Sequence, residues 1–295
     1  MPSFDGVFVP VTTPFRGDDV APERLADNLR RWSTTPLAGY VVLGSTGEFP
    51  MLGEAERDRV LGAAREAIPR ERCYIAGTGA DSTLHTIRQT RRAAELGADA
   101  AIVITPHYFT KGFSAPAAQV RHYLAVADAS PIPVLIYNFP VNTGINLEAD
   151  TVARIAAHPN VRGIKDSSGH IPQCAQIIDQ TPKSFHVLVG SAAALLPSLA
   201  IGSSGGILAL GLVAPREFCE VYGLARAGRW DEAKAIATRM LLADRGIAGR
   251  YGVGGLKAAL DLQGFYGGPC RAPLGTPDGD GIEDIKEVLA TAGLL

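Results

Sequence analysis

Lys165 closes the apolar run Val161-Arg162-Gly163-Ile164 and is followed at once by the small, polar turn Asp166-Ser167-Ser168-Gly169. An ammonium at the end of a buried strand is costly unless it is paired or deprotonated, and a deprotonated amine is a nucleophile toward carbonyl carbon. The chain has five other lysines (Lys111, Lys183, Lys234, Lys257 and Lys286), and each sits in a loop or a helix-like segment. Lys165 is therefore the candidate active centre, against the plainer reading of a surface lysine capping a strand end. Tyr137, in Tyr137-Asn138-Phe139-Pro140, ends another apolar run at the position corresponding to Lys165. If the two runs are neighbouring strands, about 4.8 Å apart, phenol and amine can touch, and the phenol can shuttle the protons that imine formation requires. Gly44-Ser45-Thr46-Gly47-Glu48 is a glycine-framed turn whose N–H groups and two hydroxyls could hold an anion. An ordinary strand-to-helix turn is the competing reading for it.

The elements that must position these residues alternate along the chain. Strand-like runs occupy Val7-Val11, Tyr40-Leu43, Tyr74-Gly77, Ala100-Thr105, Pro133-Asn138, Val161-Lys165, His186-Gly190 and Gly206-Leu210. Between them lie amphipathic segments from Pro22 to Trp32, Glu54 to Ala67, Ser82 to Leu96, Ala115 to Ala127, Leu147 to Ala157, Ile171 to Ile178 and Ala192 to Ile201. Apolar strands separated by single helices pair in parallel with both faces covered, and eight such units predict a closed (β/α)8 TIM barrel. An open doubly wound sheet is the alternative, and no Gly-x-Gly-x-x-Gly follows the first strand to support its dinucleotide-binding form. From Pro215 onward only helical patterns remain, so the expected division is a barrel over 1–213 and a C-terminal helical extension over 214–295 packed on its outside. In a barrel, residues that do chemistry sit at the C-terminal strand ends, which is where Ser45, Tyr108, Tyr137 and Lys165 fall.

Composition limits the partners. A net charge of -2 gives no basic footprint for nucleic acid or an anionic membrane surface, and no apolar run approaches the length of a membrane span. With no targeting segment read at the N-terminus, the cytoplasm is the expected location. Cys73, Cys174, Cys219 and Cys270 lie far apart without Cys-x-x-Cys, and His107 and the other five histidines show no metal-ligand spacing. Carbonyl chemistry would then fall to the amine, with no metal, nucleotide or flavin cofactor.

Gly44-Ser-Thr-Gly-Glu48, Tyr137-Asn-x-Pro140 with Thr143-Gly144, and Gly163-Ile-Lys-Asp-Ser-Ser-Gly169, in that order and spacing, resemble the dihydrodipicolinate synthase and N-acetylneuraminate lyase family of class I, pyruvate-dependent aldolases. The resemblance covers nearly the whole chain. It implies a barrel with C-terminal helices, assembled as a homotetramer (a dimer of dimers), acting on a small-molecule 2-oxo acid. It implies further that Lys165 forms the Schiff base, that Tyr137 is the proton shuttle, and that Ser45 and Thr46 hold the pyruvyl carboxylate. Tyr108 matches the tyrosine supplied across a dimer interface to complete a proton relay. Asn142, Ser167 and Leu208 complete the expected substrate-binding set.

Departures from the family patterns narrow the substrate. Lysine-pathway synthases carry an arginine where Asn142 stands, and a neutral amide loses the bidentate contact to a carboxylate. Sialic acid lyases use an acidic side chain just after the seventh strand, where Gly190-Ser191-Ala192-Ala193-Ala194 offers none. The chain is instead similar to the 4-hydroxy-2-oxoglutarate aldolase branch through Tyr137-x-x-Pro-x-Asn-Thr-Gly144, Gly47-Glu-Phe-Pro50 and Gly264-Phe-Tyr-Gly-Gly-Pro-Cys-Arg-Ala-Pro-Leu274. That branch commonly has asparagine where Thr46 stands. Aldolases and dehydratases of 2-keto-3-deoxy sugar acids, and a non-catalytic metabolite-binding protein, are the other readings.

Overall fold

Each apolar run becomes a strand covered on both faces. In the computed structural model, which describes residues 3–295, the strands are β1 Gly6–Pro10, β2 Gly39–Val42, β3 Cys73–Gly77, β4 Ala100–Ile104, β5 Val134–Asn138, β6 Val161–Asp166, β7 His186–Val189 and β8 Gly205–Ile207. Each pairs in parallel with its sequence neighbours, and β8 pairs with β1, so the sheet closes into a barrel. Phe8, Val41, Ile75, Ile102, Leu135, Leu188 and Ile207 fill the interior. The alternate residues pack under the helices in a second, larger cluster, the double burial that a parallel barrel demands.

The covering helices are α1 Pro22–Trp32, α2 Glu54–Ala67, α3 Thr83–Glu95, α4 Pro116–Ala129, α5 Ala149–Ala156, α6 Ile171–Gln180, α7 Ala192–Ala200 and α8 Pro215–Arg226. Proline opens α1, α4 and α8, where a missing N–H breaks no helical bond. Ser82 caps α3 by accepting the His85 N–H. Helix α8, expected in the C-terminal layer, packs against β1 and α7 and is the eighth barrel helix. Beyond α8 come α9 Trp230–Asp244, a π-helical turn over Arg245–Gly249, α10 Arg250–Leu262 and α11 Gly279–Thr291. No helix among the described residues is long and apolar enough to cross a membrane.

One irregularity sets up the site. Val134 pairs with Val161, but the next residue of β5, Leu135, pairs with Gly163. Arg162 is thus the additional residue of a β-bulge. Val161 and Ile164, three positions apart, both face the outer layer as a result. Lys165 takes the inward position opposite Tyr137. Uninterrupted two-residue alternation from Val161 would have turned Ile164 inward and Lys165 out.

Candidate active site

The C-terminal ends of β2, β5 and β6 bring Ser45, Tyr137 and Lys165 together. Lys165 is 6% exposed. Its Nζ lies 4.3 Å from the centroid of the Tyr137 ring, and the Tyr137 hydroxyl is 3.5 Å from Ser45 Oγ, within reach of a hydrogen bond in either direction. Tyr137 stacks on Phe139 with ring centroids 5.6 Å apart, which fixes the plane of the phenol. A small cavity of about 10 Å³, room for roughly one water, lies against Ser45, Tyr137, Phe49 and Ile104. An amine, a phenol and an aliphatic hydroxyl in a row, largely shielded from water, can form and hydrolyse an imine while passing protons along the row.

Ser167 joins them from the loop after β6. Its Oγ is buried and has no hydrogen-bond partner among the described residues. A Cβ on Gly190 would fall on that oxygen and lie 3.0 Å from Lys165 Cε. The glycine after β7 therefore leaves open the space that the lysine and the serine share.

On the outer face the neighbouring residues form a polar brace. Asp166, 1% exposed, accepts hydrogen bonds from Asn138 Nδ2 at 2.8 Å, Gln173 Nε2 at 3.1 Å and the Ser168 N–H at 2.9 Å, and from the Ser168 hydroxyl. Asn138 also donates to Asn146 Oδ1 at 2.8 Å and accepts the Leu147 N–H at 3.1 Å. Because Asn138 and Asp166 follow Tyr137 and Lys165 directly, this network fixes the two strand ends that carry the reacting groups.

The anion turn has its own scaffold. Ser45–Gly47 is a 3₁₀ turn whose first N–H groups find no acceptor within the turn. It lies between Leu43 (φ 60°) and Glu48 (φ 56°), both in the left-handed region that non-glycine residues rarely occupy. Thr13 Oγ1 donates to the Gly47 carbonyl at 2.6 Å. Thr46 is half-buried beside Ser45.

Other expected residues lie elsewhere. Tyr108 is 77% exposed on the loop after β4, its N–H bonded to Asp81 Oδ1 at 3.0 Å. Asn142 is exposed on a four-residue helix, Pro140–Thr143. The Leu208 side chain packs with Leu195 in the layer between barrel and helices, and Ile207 is the residue that points inward. Any contact of Leu208 with substrate would have to come from its main chain.

The sequence reading passed over two residues. Lys257, grouped with the unremarkable lysines, is completely buried on α10 with its Nζ 2.6 Å from Glu48 Oε1. Burial pulls its pKa below the usual lysine value, and the Glu48 carboxylate opposes that shift. Leu256-Lys257-Ala258-Ala259-Leu260, an apolar helical stretch with one cation inside it, was the available signal. Arg271 bonds Glu56 through both carboxylate oxygens, at 2.8 and 2.6 Å, which raises the arginine pKa and lowers that of the acid. No group of His, Cys, Asp and Glu side chains among the described residues is arranged to hold a metal ion.

Known proteins resemble this chain over nearly its whole length. The profile of the Dihydrodipicolinate synthetase family matches residues 3–292. A 4-hydroxy-tetrahydrodipicolinate synthase of Methanosphaerula palustris is 35% identical over 292 residues, covering 98% of this chain and 99% of the relative. An uncharacterised DapA-like lyase of Halobacterium salinarum is 36% identical over 291 residues, covering 98% and 94%. Among solved structures, a prophage protein from E. coli K12, of the dihydrodipicolinic acid synthase family and crystallised in complex with pyruvate, superposes with a TM-score of 0.93 at 28% identity, covering 99% of both chains.

Proposed function

The chain belongs to the dihydrodipicolinate synthetase family and is a carbon–carbon lyase, and from that premise we propose that Lys165 cleaves a 4-hydroxy-2-oxo acid to pyruvate and an aldehyde, with 4-hydroxy-2-oxoglutarate, giving pyruvate and glyoxylate, as the favoured substrate. The observation that carries the reading is the row Lys165, Tyr137, Ser45 at the C-terminal end of the barrel, with Nζ 4.3 Å from the phenol ring and the phenol 3.5 Å from the hydroxyl. The neutral amine attacks the 2-oxo carbon. Tyr137 relays protons as water leaves, giving a protonated imine, which is an electron sink. Removal of the 4-hydroxyl proton through Tyr137 and Ser45 breaks the C3–C4 bond, whose electron pair moves into the imine to leave an enamine, and the aldehyde departs. Protonation at C3 and hydrolysis then release pyruvate and restore Lys165. Ser45 and Thr46 hold the carboxylate next to the imine, while Ser167 and Asn142 face the aldehyde half. In the proposed homotetramer, a dimer of dimers in the cytoplasm, Tyr108 completes the relay from a neighbouring subunit.

A second reading is synthesis of 4-hydroxy-tetrahydrodipicolinate, the activity named for the Methanosphaerula relative. Asn142, where lysine-pathway synthases carry arginine, weighs against it. Borohydride trapping with pyruvate tests the common chemistry: an adduct by mass spectrometry in wild type, absent in Lys165→Ala, is expected, and no adduct in folded wild type would sink the imine mechanism. Cleavage assays on 4-hydroxy-2-oxoglutarate and 2-keto-3-deoxy sugar acids, beside a synthase assay, then separate the substrates.

A further inference from the structure

The cation and the acid that the proposed mechanism leaves unused form a buried pair directly behind the anion turn. Glu48 is the left-handed corner that closes Ser45–Gly47, and its N–H donates to the Ser45 carbonyl at 3.0 Å. Its side chain is anchored twice. Oε1 meets Lys257 Nζ at 2.6 Å, and Oε2 accepts the Arg271 N–H at 2.9 Å. Lys257 Nζ also donates to the Pro269 carbonyl at 2.7 Å and sits 4.6 Å over the Phe15 ring. The Arg271 guanidinium lies 4.5 Å from the same ring and clamps Glu56 in the first turn of α2. The segment after α10 is thereby fastened at two points, Glu48 and Glu56, to the chain that leaves the Ser45–Thr46 turn.

A buried ion pair is a poor way to gain stability, since apolar residues of similar volume in its place are often neutral or better. What it does supply is a fixed distance and direction. Here that vector ends on Glu48, one of the two left-handed residues that flank the turn and the one whose N–H closes it on the Ser45 carbonyl. We infer that Glu48 and Lys257 are positioning residues for the substrate's 2-oxo acid carboxylate, holding the Ser45–Thr46 turn in register with Lys165 from the C-terminal segment. The inference rests on the imine reading above and adds to it the source of selectivity for a carboxylate next to the ketone.

Lys257→Met alone would bury an unpaired carboxylate, so the main variant is the double Glu48→Gln/Lys257→Met, which removes both charges and preserves volume. Glu48→Gln, which keeps an acceptor for the Arg271 N–H, gives a milder version. The rate of borohydride trapping at Lys165 is measured with pyruvate and with hydroxyacetone, a methyl ketone without the carboxylate. Because a displacement of about 1 Å can lower a rate by up to about 100-fold, trapping of pyruvate by the double variant is expected to fall by roughly 10-fold or more. Trapping of hydroxyacetone should stay within about twofold of wild type, because it makes no use of the carboxylate turn. An equal fall for both ketones would show that the pair only supports the fold, and no fall for either would show that the turn holds its shape without it; each overturns the inference while leaving the imine chemistry in place. A wild-type protein that traps neither ketone overturns the imine reading and this one with it.

Discussion

Gly190 shows how little space the proposed chemistry leaves. Its missing Cβ is the room in which Lys165 Cε and Ser167 Oγ approach each other, so Gly190→Ala pushes on both at once. The alanine methyl would meet Ser167 Oγ and Cβ as well as Lys165 Cε. Displacing the lysine terminus is expected to lower the rate of pyruvate trapping by about 100-fold, with an overpacking cost of about 1–3 kcal/mol in a urea titration. Retention of the wild-type trapping rate would show that Lys165 has slack. His122 makes a different prediction, about pH. It is 4% exposed, bonded through Nδ1 to Thr83 Oγ1 at 2.9 Å and packed edge-on against Phe113 and Tyr123. Burial lowers its pKa from 6.5 to about 4. The unfolded chain therefore takes up the proton first as pH falls, so stability is full above about 6.5 and is lost progressively down to about 4, by up to about 3 kcal/mol. Urea midpoints across that range should fall for wild type, and fall less for His122→Phe.

Among the elements, the bulge at Arg162 decides which side chain of β6 enters the barrel. Deleting Arg162 would remove the bulge and restore simple alternation while leaving Gly163 opposite Leu135 and Lys165 opposite Tyr137, because Val161, Gly163, Ile164 and Lys165 then match Val134 to Tyr137 one for one. The folded fraction of such a protein, isolated by size-exclusion chromatography, is therefore expected to keep its borohydride adduct with pyruvate, and loss of the adduct would mean that the bulge itself, and not only the register, is needed to aim Lys165. The eight strands and the helices between them were legible in the sequence to within a residue or two, except that the last strand stops at Ile207, three residues short of the expected Leu210; doubly covered strands read as apolar runs, and the helices between them as amphipathic segments with end signals. The bulge was not, since it exists only in the pairing of Val134 and Leu135 with Val161 and Gly163. The same double coverage hid the orientation of Leu208: when both faces of a strand are apolar, alternation carries no facing information. Two-residue strands at Phe15–Arg16 and Asp19–Val20 are too short to show a period, and so is the π-helical turn at Arg245–Gly249. Of the site, Lys165 and Tyr137 were visible because each lies at a strand end, and Ser45 because it opens the glycine-framed turn that follows one. Lys257 was not, because its partner lies more than two hundred residues away.

At the scale of the molecule, the barrel end that carries the site also carries its most exposed apolar side chains. Tyr108 and Phe109, packed edge to face at 5.0 Å, are 77% and 76% exposed on the loop after β4, and Val141, on the loop after the adjacent β5, is 84% exposed. Clustered apolar exposure of this kind marks an interface, which is what the proposed tetramer requires at a point where Tyr108 could reach a neighbouring site. The chain alone weighs 31.0 kDa, so light scattering should give a multiple of that mass. Tyr108→Ser/Phe109→Ser should shift the mass toward the single chain and lower turnover. Trapping of pyruvate at Lys165 should persist in that variant, because Lys165, Tyr137 and Ser45 all come from one subunit. Tyr108→Phe separates contact from chemistry: it keeps the ring and the assembly but removes the proton donor. If the hydroxyl serves the relay, turnover is expected to fall by about 100-fold at unchanged mass. Unchanged turnover in that variant would leave Tyr108 as packing between subunits and return the proton relay to Tyr137 and Ser45.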